Sequence, residues 1–106
     1  MAKTNHKSSV AINYAASLLD LANESKQAEP IAQELANLRQ IVEENRTFLL
    51  FLSDPGIGIT ERGETINRIF GSQISALMHN FLGVLNEHNR LRILPQIADA
   101  YDDLLG

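Results

Sequence analysis

Three histidines and no cysteine bound the chemistry open to this sequence of 106 residues. Without cysteine there is no thiol nucleophile, no thiolate metal site and no disulfide. The histidines are His6, His79 and His88. His79 and His88 are too far apart to form the i, i+4 pair that places two metal ligands on one helical face. No acidic cluster stands near either of them, so surface or rim histidines are the expectation. Adjacent carboxylates occur at Glu43-Glu44 and Asp102-Asp103. Neighbours on a helix point about 100° apart, so neither pair shares a site as a catalytic dyad must. The loop Asp54-Pro55-Gly56-Ile57-Gly58 carries two glycines but neither phosphate-cradling pattern, and reads as a turn between helices. No nucleophile–base pattern is present. The expectation is a chain with no catalytic residue, no cofactor and no metal, and with no nucleotide hydrolysis.

The elements that would carry such residues must fit a single domain. A chain of this length can bury about 60–70% of its unfolded surface, enough for a core without staples. Hydrophobic residues are 44% and charged residues 21% of the chain, the balance of a soluble globular domain. The net charge of -4 argues against nucleic acid and against anionic lipid as the main partner, since both need clustered Lys and Arg. No apolar run approaches the roughly 20 residues that span a bilayer, so direct membrane insertion is not expected. The first ten residues have two lysines but no apolar core, and do not read as a secretory signal.

Periodicity gives an all-α, monomeric bundle of six helices, two of them short. Residues 1–7 are polar and expected to be a flexible tail, with the helical domain over residues 8–105. Ser8 or Ser9 caps a first helix to about Asn23. A second runs from near Glu29, with Pro30 in its first turn, to near Asn45. Phe48–Leu52 is a short apolar piece; with no strand to pair with, it is read as a third helix. Thr60 caps a fourth, through Ile66, Ile69 and Phe70. Gly71-Ser72 divides it from a fifth that reaches about His88. Asn89 can supply the left-handed residue that ends it. A sixth spans about Leu91 to Leu105, with Pro95 near its start.

The first and fifth helices stand apart. In the first, Ser9, Asn13, Ser17, Asp20 and Glu24 fall in a sector of about 80°, leaving an apolar arc of about 240°. A surface helix needs a stripe of only about 100° or more. Either this helix is central, or part of its apolar face awaits something. In the fifth, Ile74, Leu77, Met78, Phe81, Leu82 and Leu85 form a core stripe. Beside it runs a line of short residues: Ser72, Ala76, Asn80 and Gly83. Two explanations stay open. The line packs internally against the alanines of the first helix, or it forms a shallow groove for a foreign helix.

Three stretches in order, VAINYAASLLDLA, FLSDPGIGITERGETINRIF and NFLGVLNEHNRLRILPQIADAYDDLL, resemble a known family. The chain is similar over about residues 8–105 to the N-terminal domain of the ATP synthase delta subunit, whose mitochondrial member is the oligomycin-sensitivity-conferring protein. The run Phe81-Leu82, Asn89-Arg90-Leu91, Leu94-Pro95 and Ile97 is the most specific part. Tyr14-Ala15 and Leu52, Pro55 and Ile57 support it. The resemblance implies a six-helix bundle and a non-enzymatic stator role. It implies that the domain grips the N-terminal amphipathic helix of an alpha subunit at the top of the catalytic head, in a groove between helices one and five. It also implies a peripheral location on the cytoplasmic side of an energy-transducing membrane, which is the matrix side or the stroma in organelles. Tyr14 and Val84 match positions that the family places at the groove. Two residues depart from the pattern: Gly63 interrupts helix four, and Asn89 stands where glycine is common. The family's C-terminal region, which meets the peripheral stalk, is not in this sequence; a fragment keeping the head-binding half is expected.

With the groove in mind, the wheel assigns its lining. Tyr14 and Leu21 share one edge of helix one, flanked by Val10 and Leu18. Val84 and Leu77 share one edge of helix five, with Asn80 and Ala76 on the short-residue line beside them. These edges are expected to converge on an apolar trough that takes an amphipathic helix with micromolar to submicromolar affinity. A helical RNA-binding or other interaction module is the alternative function. It would need a basic stripe, whereas Lys and Arg are scattered along an acidic chain.

Overall fold

The computed structural model describes residues 8–106; the tail expected over residues 1–7 lies outside the described residues. The described chain is helical, with no strand among the described residues. Its elements are α1 (Ser9–Glu24), α2 (Ala28–Glu44), α3 (Arg46–Ser53), α4 (Ile59–Phe70), α5 (Ala76–Glu87), a 3-10 turn (Leu91–Ile93) and α6 (Leu94–Leu105).

Local chemistry sets most boundaries. The side chains of Ser8, Asn45 and Ser75 accept from the N–H groups of Ala11, Phe48 and Met78 at 3.1, 3.0 and 3.1 Å, opening α1, α3 and α5. Left-handed residues close α1 and α5. Lys26 has φ 57° and Asn89 φ 59°. Each lets the next N–H reach back five residues, Gln27 to the Ala22 carbonyl at 2.7 Å and Arg90 to the Leu85 carbonyl at 2.8 Å.

Three boundaries differ from expectation. α4 begins at Ile59 after Gly58, not at a Thr60 cap, because the extended backbone of Gly58 already enters the helix. α5 begins at Ala76, so Ser72 and Ile74 lie in the preceding turn and not on the helix. The sixth helix is broken at its start: Leu91–Ile93 forms a 3-10 turn, and Pro95 then sits in the first turn of α6, where its missing N–H is harmless.

The core is one cluster. α1 packs mainly on α6, and α6 also packs on α2. Ala11, Ala15 and Ala22 face α6 fully buried, and Ala98 and Ala100 are almost as buried on the other side. Small residues on both helices allow close approach. Tyr101 is buried at this junction and donates its hydroxyl to the Ala28 carbonyl at 2.7 Å, pinning α6 to the start of α2. Only Ala11, Ala15, Leu18 and Ala22 of α1 are buried, while Ile12 and Leu21 are exposed. α1 is therefore not the central helix; its apolar arc is far wider than its buried stripe.

The Asp54–Gly58 loop turns its oxygens inward. Arg62, 2% exposed, donates to the carbonyls of Asp54 and Ile57 at 2.6 and 2.9 Å and to Asn86 Oδ1 at 3.3 Å. Asn86 Nδ2 donates in turn to the Ile59 carbonyl at 2.9 Å. Converging carbonyls suit a guanidinium and repel a phosphate. This loop is a socket for Arg62, and it locks α4 to α5.

Candidate functional site

A shallow trough of about 270 Å³ lies between α1 and α5. Tyr14, Ser17, Leu18 and Leu21 line it from α1; Leu77, Asn80, Phe81 and Val84 line it from α5. The spacing explains why. Tyr14, Leu18 and Leu21 are at i, i+4 and i+7 on one helix, and Leu77, Phe81 and Val84 repeat that spacing on the other. Leu18 is fully buried and forms the floor. The rings of Tyr14 and Phe81 meet edge to face, centroids 6.3 Å apart and planes at 77°, and join the two helices at the base of the trough. Leu21 and Val84 keep 48% and 43% of their surface exposed on the two sides.

Six of the eight residues assigned from sequence line the trough: Tyr14, Leu18, Leu21, Leu77, Asn80 and Val84. Val10 and Ala76 do not. Val10 is half-buried one turn before Tyr14, and Ala76 is exposed at the first position of α5. Sequence reasoning missed Phe81 and Ser17. Phe81 is i+4 from Leu77, and its core assignment hid its role as a trough wall. Ser17 sits between Tyr14 and Leu21 on the surface, so its place in the polar strip already bordered the trough edge.

The explanation by internal packing of the short-residue line is not what the fold adopts. The alanines of α1 face α6. A Cβ built at Gly83 meets nothing within 4 Å, so no neighbouring helix requires glycine there. Ala76, Asn80 and Gly83 are an exposed ridge along α5.

The trough's polar lining is the hydroxyls of Tyr14 and Ser17 and the amide of Asn80, with no charged side chain. Such a surface can bury an apolar helix face, and no carboxylate, imidazole or amine stands beside its two hydroxyls. Elsewhere, His79 Nε2 lies 2.7 Å from Asn67 Oδ1 in a side-chain hydrogen bond between α5 and α4. Among the described residues no group of three or more His, Asp or Glu side chains is arranged to hold a metal ion. No helix of the described residues is long and apolar enough to cross a membrane.

The ATP synthase delta (OSCP) subunit family matches over residues 10–106. The chain belongs to this family. It is similar to the chloroplastic ATP synthase subunit delta of Porphyra purpurea, at 36% identity over 98% of this chain and 56% of that protein. It is also similar to ATP synthase subunit delta of Trichodesmium erythraeum, at 33% identity over 87% of this chain and 50% of that one. In structure it is similar to a chain of the Toxoplasma gondii mitochondrial ATP synthase hexamer, with a TM-score of 0.81 and 25% identity, over 90% of this chain and 53% of that chain. This delta-family chain spans about half the length of the relatives it matches. Both departures from the family pattern have local causes: Asn89 takes the left-handed cap conformation, and Gly63 leaves room for Asn86.

Proposed function

We propose that this domain is a non-catalytic stator module of a rotary ATP synthase, and that its α1/α5 trough grips the N-terminal amphipathic helix of an alpha subunit at the top of the catalytic head. The observation that carries the reading is the pairing of exposed Leu21 and Val84 across an uncharged apolar trough already floored by Leu18. A single helix lying there would cover both sides with anchors at i, i+3, i+4 and i+7. Burial of several aliphatic groups at about 25 cal/mol/Å² drives binding by several kcal/mol, and ordering the peptide subtracts a few. The work of the domain is to hold: torque from the turning shaft does useful work only if the head stays still. In the longer relatives a further C-terminal region would meet the peripheral stalk. The location that follows is peripheral, on the matrix, stromal or cytoplasmic side of the energy-transducing membrane.

Titration calorimetry with a synthetic alpha-subunit N-terminal peptide tests this. Micromolar or tighter binding is expected, and Val84→Asp should weaken it by tenfold or more, because the carboxylate would be buried unpaired against the peptide. The same variant should melt within a few degrees of the parent, since water reaches position 84 in the free domain. A stable Val84→Asp protein that binds the peptide undiminished would overturn the trough as the docking site.

A further inference from the structure

A second concavity, of about 300 Å³, lies on another face of the bundle, where the end of α2, the start of α3 and the start of α6 meet. Its apolar part is Val42, Leu49 and Pro95, and its charged part is Arg46, Arg92 and Glu43. Three observations set the charge of this site. First, Glu43 is already engaged: it accepts from Arg39 Nε at 3.2 Å, and Arg39 also pairs with Asp99. Glu44 nearby accepts from Gln40 at 3.0 Å. Second, Arg46 and Arg92 have no ion pair or side-chain hydrogen bond among the described residues. Third, Arg46 is the first residue of α3 and Arg92 lies in the 3-10 turn two residues before α6, and neither helix has an acidic residue in its first turn. A cation at a helix N-terminus opposes the helix dipole, so neither arginine stabilises its own helix there. Two unpaired guanidiniums and the positive ends of two helices therefore border one apolar hollow in an otherwise acidic chain.

We infer that this hollow docks an acidic amphipathic segment of a protein partner, with carboxylates on Arg46 and Arg92 and an aliphatic side chain on Val42, Leu49 and Pro95. Charge complementarity selects this occupant. Guanidinium forks match carboxylates in paired hydrogen bonds. A nucleic-acid backbone would need more cations, and no aromatic side chain lines the hollow to stack a base. The chain's own residues 1–7 carry two lysines and no acid, and would meet like charge. The site is separate from the α1/α5 trough and shares no residue with it.

The test is fluorescence anisotropy with a labelled synthetic helical peptide that carries two Glu at i, i+4 beside Leu, on the whole chain at low and at physiological salt. Saturable binding that weakens with salt is expected. Arg46→Gln and Arg92→Gln should each weaken it about tenfold. Replacing the peptide's Glu by Gln should abolish it, and Val84→Asp should leave it unchanged. Circular dichroism on both arginine variants should match the parent, since both positions are exposed. Absence of binding, or equal binding by the Arg46→Gln/Arg92→Gln double variant, would overturn the assignment. Displacement of the peptide by inorganic phosphate or by a short single-stranded RNA at equal concentration would also overturn it, in favour of a general anion site.

Discussion

The Tyr14 ring on α1 stands edge-on to the Phe81 ring on α5, at 6.3 Å and 77°. Little else ties these two helices together; α1 is held mainly by α6. The aromatic pair therefore sets the separation of the trough walls. The Tyr14 hydroxyl makes no hydrogen bond among the described residues, so it contributes nothing to that pair. Tyr14→Phe should keep stability within about 0.5 kcal/mol, whereas Tyr14→Ala should cost about 2–4 kcal/mol. Peptide affinity should follow the same order. Denaturant unfolding of the two variants checks it, and equal loss in both would show that the hydroxyl, not the ring, is what matters.

The two mid-helix glycines should respond in opposite ways to the same substitution. Gly83 in α5 faces open space. Gly83→Ala should stabilise the domain by about 0.5–1 kcal/mol through helix propensity alone. At Gly63 in α4 a Cβ would lie 3.1 Å from Asn86 Nδ2. That amide holds the Ile59 carbonyl, and its oxygen receives Arg62. Gly63→Ala should forfeit the propensity gain and destabilise by about 1 kcal/mol or more, as the buried Arg62 partner is pushed aside. Thermal melts of both variants decide this; stabilisation at both positions would mean that Asn86 moves freely and that the Arg62 socket is soft.

Those glycines also mark where the sequence is legible and where it is not. Helical periodicity identifies the longer helices, which carry apolar stripes such as Ile31, Leu35, Leu38 and Val42, whereas the short α3 is legible only because Phe48–Leu52 has no strand to pair with. The trough walls are readable only in part: the wheel puts Tyr14 with Leu21 and Leu77 with Val84 on shared edges, but the pairing of helices one and five around a groove comes from the family resemblance. Helix partners are not readable. A wheel shows that α1 is apolar over a wide arc, but not that its alanines meet α6 instead of α5. Arg62 is invisible as a core residue, because its burial rests on carbonyls from a loop several residues away. Helix starts slip by a few residues where a cap and its neighbour are both plausible, as at Gly58 and Thr60, or at Ser72 and Ser75.

Tyr101 gives the fold an alkaline limit. Burial raises its pKa above the ordinary value, and Glu29 and Asp102 add to the shift by opposing a phenolate. The folded state therefore retains the proton in a range where the unfolded chain, titrating near about 10, has lost it. Stability from this group is complete below that value and declines as pH rises through the folded pKa. Urea unfolding between neutral pH and the alkaline range should show the decline. In Tyr101→Phe it should be shallower, on top of a pH-independent loss of about 1 kcal/mol for the hydrogen bond to Ala28. An identical slope in both proteins would assign the alkaline limit to other groups.

Glu34 and Ser75 couple the start of α5 to α2. The Ser75 N–H lies 3.2 Å from both Glu34 carboxylate oxygens, and its hydroxyl donates to Oε1 at 3.0 Å. The same hydroxyl caps α5 by accepting from the Met78 N–H at 3.1 Å. One serine thus orients its proton toward Glu34 and its lone pair toward the helix, and α5 begins where α2 allows. Each of Glu34→Ala and Ser75→Ala should cost about 1–2 kcal/mol. The double variant should cost less than the sum, by about 0.5–1 kcal/mol, because either change removes the shared bond. Amide hydrogen exchange supplies the second readout. It should accelerate in the first turn of α5 in both single variants and stay unchanged at the other end, where Asn89 closes the helix. Strict additivity, or faster exchange along the whole of α5, would show that the carboxylate does not fix where this helix starts. The position of Leu77 in the trough wall would then depend on the Tyr14–Phe81 contact alone.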